Sequence, residues 1–122
     1  MISLDNARAI WGSWSCQSSI APGIHRFVTT YRRDGSGLRS FDGVSTRFHY
    51  FVTGGYIIIT MPGPVTTREA YSVRHGHMAK GPASYWHEGS WNAQPDAGVD
   101  VCLRSPASYE NVSPDFASSR RR

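Results

Sequence analysis

Hydrophobic and polar residues alternate most clearly between Thr46 and Met61, in the segment TRFHYFVTGGYIIITM. The even-numbered positions from Thr46 to Val52 are bulky and mostly apolar, whereas Arg47 and His49 fall on the other face, because successive strand side chains point to opposite sides. Gly54-Gly55 tolerates the positive φ angles of a two-residue hairpin turn. The pattern therefore predicts a hairpin whose apolar face points into an enclosed space, which further strands must cover.

Other alternating or β-rich segments lie on both sides of this hairpin. They predict strands over residues 11–18, 25–31, 38–41, 68–75, 83–91 and 99–104. Clusters of glycine, proline and aspartate between them are typical of tight turns. Residues 1–10 predict a short helical turn, with Leu4, Ala7 and Ile10 at helical spacing, that covers one end of the molecule.

Seven or eight short strands joined by tight turns predict an all-β, antiparallel, up-and-down meander. A meander of about eight strands pairs all its edges by closing into a barrel. We assign residues 1–104 to this barrel domain and residues 105–122, which are rich in serine and end in Arg120–Arg122, to a loosely attached tail. Cys16 and Cys102 then fall on the first and last strands, which become neighbours when the barrel closes.

Length and charge narrow the class of protein. The 122 residues suffice for one domain with one core. Of the net charge of +4, three units belong to Arg120–Arg122, so the body carries +4 − 3 = +1, which argues against a nucleic-acid binder.

No apolar run is long enough for a membrane helix, and the first ten residues lack the pattern of a secretory signal. We therefore expect a cytoplasmic protein with reduced thiols at Cys16 and Cys102.

Three short motifs carry a resemblance to a known family. They are Gly12-Ser13-Trp14, the segment YRRDGSG from Tyr31 to Gly37, and the segment TGGYIII from Thr53 to Ile59. They resemble the G-x-W, Y-x-x-D-G-[ST] and G-x-[YL] motifs of small bacterial lipocalin-like barrels of the calycin superfamily. The resemblance covers about residues 11–75 and not the weakly patterned stretch 76–98. It implies a cup that holds a small, largely apolar molecule, on a scaffold that also carries enzymes.

Aromatic and aliphatic side chains on the predicted inner faces are the candidates for ligand binding. Rings supply contact area, and the polar atoms of tyrosine and tryptophan orient a ligand. The candidates are Trp14, Phe27, Phe48, Tyr50, Ile57, Ile59, Tyr71, Val73, Tyr85 and Trp86. The interior of an eight-stranded barrel is either filled by side chains or just holds one small ligand. We favour binding of a small hydrophobic or aromatic molecule, and a module with a filled interior is the structural alternative.

An enzyme on the same barrel is the other alternative. His49, His87, Glu88 and Tyr71 offer acid and base groups for isomerase, cyclase or lyase chemistry on an aromatic or polyketide-like substrate without a cofactor. His75-x-His77 has zinc-ligand types, but Glu88 follows His77 by eleven residues, so we predict no metal site. Expected partners are the small ligand alone, without nucleic acid or membrane, and a homodimer is left open.

Overall fold

We describe the protein from a computed structural model, which covers residues 7–19, 24–94 and 98–105. The predicted tail beyond Ser105 and the predicted helical position Leu4 lie outside these residues. Within them, ten β-strands form one antiparallel sheet. They are β1 (Gly12–Ser19), β2 (Ile24–Tyr31), β3 (Ser36–Phe41), β4 (Val44–Thr53), β5 (Tyr56–Met61), β6 (Val65–Arg74), β7 (His77–Lys80), β8 (Ser84–His87), β9 (Ser90–Ala93) and β10 (Val99–Arg104).

Eight of these strands close into a barrel. Neighbouring strands follow the order β5-β4-β3-β2-β1-β10-β7-β6, and β5 also pairs with β6, which completes the ring. All these pairs are antiparallel. Ring closure gives each barrel strand a partner on both sides, so its backbone groups do not form open edges. The predicted all-β antiparallel barrel of about eight strands is therefore confirmed.

The strands β7 and β8 form one interrupted strand along β6. Tyr71 of β6 pairs with Lys80, whereas Arg68, three residues earlier, pairs with Ser84, four residues later. The extra residue is accommodated at Gly81–Ala83, where a bulge bends the chain. On the other side, β9 pairs with β8, and β10 pairs with β7. The chain of β7 therefore continues as β8 of the β8–β9 hairpin, which pairs with the first half of β6.

The prediction of a single strand over residues 83–91 is wrong. Glu88 and Gly89 have φ angles of 49° and 84° and form the turn of the β8–β9 hairpin. This conformation favours glycine, asparagine and aspartate, so a glutamate in the first position gives a weak sequence signal. The same applies to His75 and Gly76, which join β6 to β7 with φ angles of 51° and 77°.

The central hairpin has the predicted orientation. Phe48 and Tyr50 are 3% and 7% exposed, and Val52 is fully buried. Arg47 and His49 lie on the outer surface. The even-numbered aromatic side chains therefore point into the barrel, as the alternation predicts.

The barrel is closed at the end where β1 begins. A helical turn at Ala7–Ile10 lies across this end, with the Ile10 amide donating to the Ala7 carbonyl oxygen at 3.0 Å. Arg104 donates to the carbonyl oxygens of Trp11 and Ala9 at 2.6 and 3.0 Å, and its guanidinium group lies 4.2 Å from the centre of the Trp14 ring. The last strand thereby holds the helical turn against the core.

Cys16 and Cys102 form a disulfide bond, so the prediction of reduced thiols is wrong. The two residues lie directly opposite each other on β1 and β10, with Cα atoms 4.0 Å apart. Both side chains are buried. The predicted neighbourhood of the two cysteines is correct, and the bond spans the seam at which the first and last strands meet.

Candidate functional site

The end of the barrel opposite the helical turn is open and contains a cup of about 510 Å³. The last residues of β1 and the first residues of β2 lie at this open end. Trp14, at the start of β1, lies at the closed end. Apolar side chains make up much of the wall: Phe27, Phe41, Val44, Met61 and Ala83. Polar side chains also line it: Ser18, His25, Arg39, Thr46, Glu69, Gln94 and Asp100.

A buried lysine lies between the cup and the core. The Lys80 side chain is fully buried, and its Nζ is 3.4 Å from Asp100 Oδ2 and 3.6 Å from Glu69 Oε1. It also donates to the Tyr31 hydroxyl oxygen at 3.4 Å. Tyr31 belongs to the aromatic core, where its ring packs edge-on against the Phe48 ring. Lys80 therefore connects the core to two carboxylates that line the cup.

The environment of Lys80 keeps it charged. Burial alone would lower the pKa of Lys80, and the Arg39 guanidinium acts in the same direction. Tyr31 and the carboxylates of Glu69 and Asp100 more than offset these effects and raise the pKa above its ordinary value. An ammonium group at neutral pH is neither a nucleophile nor a general base. In this site Lys80 holds the two carboxylates in place.

Within the described residues, three buried polar atoms have no hydrogen-bond partner. Two belong to residues that line the cup, Arg39 Nε and Glu69 Oε1, and the third is Thr29 Oγ1 on β2, directly opposite Arg39. Glu69 Oε1 keeps its ion pair with Lys80 at 3.6 Å. Within the described residues Arg39 forms no ion pair, and its guanidinium group lies 5.2 Å from the centre of the Phe27 ring. Unsatisfied buried polar groups are rare because each costs free energy. Their presence at an open cup indicates a place where a ligand or water completes the hydrogen bonding.

The cup continues beneath the β8–β9 hairpin. A second cavity of about 390 Å³ shares Arg39, Met61 and Glu69 with the cup and adds Tyr85 from β8. The Tyr85 and His87 rings lie on one face of the hairpin, with centres 6.4 Å apart, whereas Trp86 packs on the other face against Trp91. The hairpin thus contributes its Tyr85 face to the wall of the cavity.

Two of the ten predicted ligand residues line these cavities: Phe27 in the cup and Tyr85 in its extension. Five belong to the buried core: Trp14, Phe48, Tyr50, Ile57 and Ile59. Tyr71 and Val73 are partly buried and pack against that core, and Trp86 is 49% exposed on the hairpin. The polar atoms of the core rings are used within the protein, since Trp14 Nε1 donates to the Ile10 carbonyl oxygen at 2.9 Å and the Tyr50 hydroxyl to that of Arg32 at 2.6 Å.

The four predicted catalytic residues do not converge at the mouth of the barrel. His49 lies on the outer surface of β4. His87 and Glu88 contact each other at 3.3 Å near the tip of the hairpin, where both side chains are largely exposed. Tyr71 is partly buried, which raises the pKa of its phenol. The arrangement therefore provides no common position at which these groups would act on one substrate.

The other histidine pair also remains at the surface. His75 occupies the β6–β7 turn, and His77 Nδ1 lies 3.1 Å from the His75 carbonyl oxygen. Among the described residues, no three His, Cys, Asp or Glu side chains are arranged to hold a metal ion. In the same part of the chain, no helix is long and apolar enough to cross a membrane.

The charged residues that line the cup, Arg39, Glu69 and Asp100, and the buried Lys80 behind them are not among the residues predicted from the sequence. One signal was present in the last strand, where Asp100 and Cys102 share the inner face while Val99, Val101 and Leu103 point outward. An acidic residue in phase with a buried cysteine indicates a charge inside the barrel. The other three residues carry no such local mark, because charged side chains on strands usually face water.

No protein-family model, curated protein or solved structure matches this chain.

Proposed function

We propose that the domain binds a small molecule in the cup. The observation that carries this proposal is the open cavity of about 510 Å³, whose wall is apolar over most of its area and includes Arg39 and Glu69, each with a buried polar atom that forms no hydrogen bond within the described residues. Small-molecule sites have volumes of roughly 300–1,000 Å³ and combine apolar walls with a few convergent polar groups. The ligand places a hydrophobic or aromatic body against Phe27, Phe41 and Met61 and a polar end toward Glu69 and Asp100.

The resemblance to lipocalin-like barrels of the calycin superfamily belongs to this proposal. A closed eight-stranded antiparallel barrel is compatible with that fold, and the Gly12-Ser13-Trp14 motif lies at the closed end, opposite the cup. The alternative of a cofactor-independent isomerase, cyclase or lyase stays a prediction. No arrangement among the described residues favours it over binding.

We propose an oxidising compartment as the place of action. The missing pattern of a secretory signal predicts a cytoplasmic location and, with it, reduced thiols, whereas Cys16 and Cys102 form a disulfide. Such bonds persist in oxidising environments and are rare in the cytosol. Alkylation of free thiols in protein taken directly from its source, followed by mass spectrometry, tests this. Two alkylated cysteines would contradict the proposal.

Blocking the cup tests the binding function. Thr46 lines the cup, and its neighbour Arg47 lies on the outer surface of the same strand. We expect the neutral fluorescent probe N-phenyl-1-naphthylamine to bind the native protein at one site. Thr46→Trp should weaken this binding by about tenfold or more, because the indole ring would occupy the space of the probe. The probe would then lose apolar contact with the wall of the cup. Arg47→Trp is the matched control and should bind as the native protein does.

Two results would overturn the proposal. One is the absence of probe binding to a protein with native near-ultraviolet circular dichroism. The other is equal weakening by Thr46→Trp and Arg47→Trp, which would place the probe outside the cup. Native mass spectrometry of the protein from its source then identifies the natural ligand by its mass.

A further inference from the structure

We infer that the ligand is an amphipathic zwitterion, with an apolar body and an ammonium and a carboxylate group together at one end. This inference rests on the proposed binding function and specifies the chemistry that the cup selects. Two separate features carry it, namely a surplus of negative charge on one side of the cup and an unmatched guanidinium group on another strand.

The surplus negative charge comes from the group around Lys80. Glu69 and Asp100 carry two negative charges against the one positive charge of Lys80, so their sum is +1 − 2 = −1. Lys80 is fully buried, whereas the two carboxylate side chains remain 9% and 8% exposed and line the cup. A ligand in the cup therefore meets the carboxylates and not the ammonium group.

These carboxylates have hydrogen-bonding capacity to spare. Their distances to Lys80 Nζ, 3.6 and 3.4 Å, exceed the roughly 2.7–2.9 Å of a close hydrogen bond between charged groups. Glu69 is 7% exposed, and its Oε1, the oxygen nearest Lys80, forms no hydrogen bond within the described residues. An ammonium group carries three N–H donors, which match the free acceptor sites of two carboxylates.

The unmatched positive charge is Arg39 on β3. It lines both the cup and its extension, forms no ion pair within the described residues, and has an Nε without a hydrogen-bond partner. Its guanidinium group lies 5.2 Å from the centre of the Phe27 ring. A guanidinium group binds a carboxylate through two parallel hydrogen bonds.

A zwitterionic end matches both features at once. A ligand with a carboxylate alone would face the surplus charge of Glu69 and Asp100, and a ligand with an amine alone would face Arg39. Together these three residues and Lys80 carry two positive and two negative charges, so the site as a whole has no net charge for a singly charged ligand to neutralise. The apolar wall near Phe27 and Phe41 then receives the rest of the molecule.

Three indole compounds with the same ring and different ends test the inference on the full-length chain. They are L-tryptophan, tryptamine and indole-3-propionate, which are zwitterionic, cationic and anionic at neutral pH. We expect isothermal titration calorimetry to give L-tryptophan an affinity about tenfold or more above those of the other two, the value of one hydrogen bond between charged groups.

Two substitutions test which residue binds the carboxylate of the ligand and which binds its ammonium group. Arg39→Gln should abolish the preference for L-tryptophan over tryptamine, because the carboxylate loses its partner. Glu69→Gln should reduce the preference over indole-3-propionate, because the ammonium loses an acceptor. Arg47→Gln, on the outer surface, is the control and should leave all three affinities unchanged. If Glu69→Gln does not fold, the native protein and Arg39→Gln decide the outcome.

The remaining outcomes separate this inference from the binding function. Equal affinities for the three compounds, a preference for a singly charged one, or a preference that survives Arg39→Gln would overturn the zwitterion. If N-phenyl-1-naphthylamine binds but no indole compound does, the inference fails and the binding function stands. If that probe also fails to bind, the binding function itself is overturned.

Discussion

Gly37 shows how a single residue decides the packing of the core. It lies directly opposite Phe48 on the neighbouring strand. A Cβ atom at Gly37 would lie 2.2 Å from the Cε1 and Cζ atoms of the Phe48 ring. The ring therefore occupies the space that a side chain on β3 would need. Glycine usually weakens a strand, but here it lets an aromatic ring cross the neighbouring strand.

We expect Gly37→Ala to lower the free energy of unfolding by about 1–3 kcal/mol, because the Phe48 ring must leave its position in a packed core. Urea denaturation followed by circular dichroism measures the change. The same substitution in a Phe48→Leu background is the control, and there the cost should be smaller because the side chain is shorter. An equal cost in both backgrounds would show that the ring is not the cause.

Because of Tyr50, we expect the free energy of unfolding to fall as the pH becomes alkaline. Burial raises the pKa of its phenol from 10.0 to about 12, and the hydroxyl donates to the Arg32 carbonyl oxygen. The folded protein thus favours the neutral phenol more than the unfolded chain does. Its contribution to stability is complete below pH 10 and is lost as the pH rises toward about 12.

Urea denaturation between pH 9 and 12 tests this dependence in the native protein and in Tyr50→Phe. The variant should be less stable at pH 9, because it lacks the hydrogen bond, and should lose less stability as the pH rises. A slope remains, since the raised pKa values of Tyr71 and Lys80 act in the same direction. Parallel curves for the two proteins would exclude Tyr50 as a source of the pH dependence.

At the scale of elements, the β8–β9 hairpin is attached to the barrel mainly by side chains. Its backbone pairs with β6 at Thr67 and Arg68. The Arg68 guanidinium group lies between two rings, 4.6 Å from the centre of Tyr56 on β5 and 4.7 Å from that of Trp91 on β9. The Trp91 ring in turn packs edge-on against Trp86. Arg68 therefore joins the hairpin to the outer wall of the barrel.

We expect Arg68→Ala to release the hairpin while the barrel stays folded. Each of the two stacking contacts contributes about 0.5–1 kcal/mol, so hydrogen exchange of the amides in β8 and β9 should accelerate by about fivefold or more. Exchange in β1 to β5 should not change. Arg47→Ala, at an exposed position, is the control. Faster exchange throughout the barrel would contradict a local role for Arg68.

The hairpin also shows what a strand pattern predicts and what it does not. Alternation with a period of two correctly separates Phe48 and Tyr50 from Arg47 and His49, because it reports the face of a strand. It does not report the height of a residue along the barrel axis. The alternation therefore places both Tyr50 and Phe27 on the inner face without separating them: Tyr50 fills the core, whereas Phe27, nearer the rim, lines the cup.

The charged floor of the cup could not be derived in the same way. Glu69, Lys80 and Asp100 come from β6, β7 and β10, and only the strand register brings them together. The bulge at Gly81–Ala83 precedes the hairpin and shifts the pairing with β6 by one residue. The local sequence preferences of these residues do not predict such a shift in register. A charged side chain inside a barrel is stable only when oppositely charged side chains lie beside it, so these residues depend on one another.

At the scale of the whole molecule, the barrel depends on the contact between its first and last strands. β1 and β10 pair over six residues, and the Cys16–Cys102 disulfide lies within this pairing. The two cysteines are 86 residues apart in the sequence. Formation of this long-range pairing restricts most of the chain, and a bond across it removes conformational freedom from the unfolded state.

Removal of the disulfide should therefore destabilise the entire barrel. For a loop of this length the chain-entropy model gives a loss of about 4.6 kcal/mol in the free energy of unfolding for Cys16→Ala with Cys102→Ala. Guanidinium denaturation of the double variant measures it. A reducing agent should lower the stability of the native protein and leave the double variant unchanged, which separates loss of the bond from loss of the sulfur atoms in the core.

The same variant connects the seam to the cup. Asp100 lies two residues before Cys102 on β10 and pairs with Lys80. Separation of β1 from β10 would therefore disturb the floor of the cup earlier than it would disturb the wall formed by β3 and β4. Probe affinity should therefore fall in the double variant at denaturant concentrations where most molecules are still folded. Affinity that declines only in step with global unfolding would mean that the seam and the cup open together, as one cooperative unit.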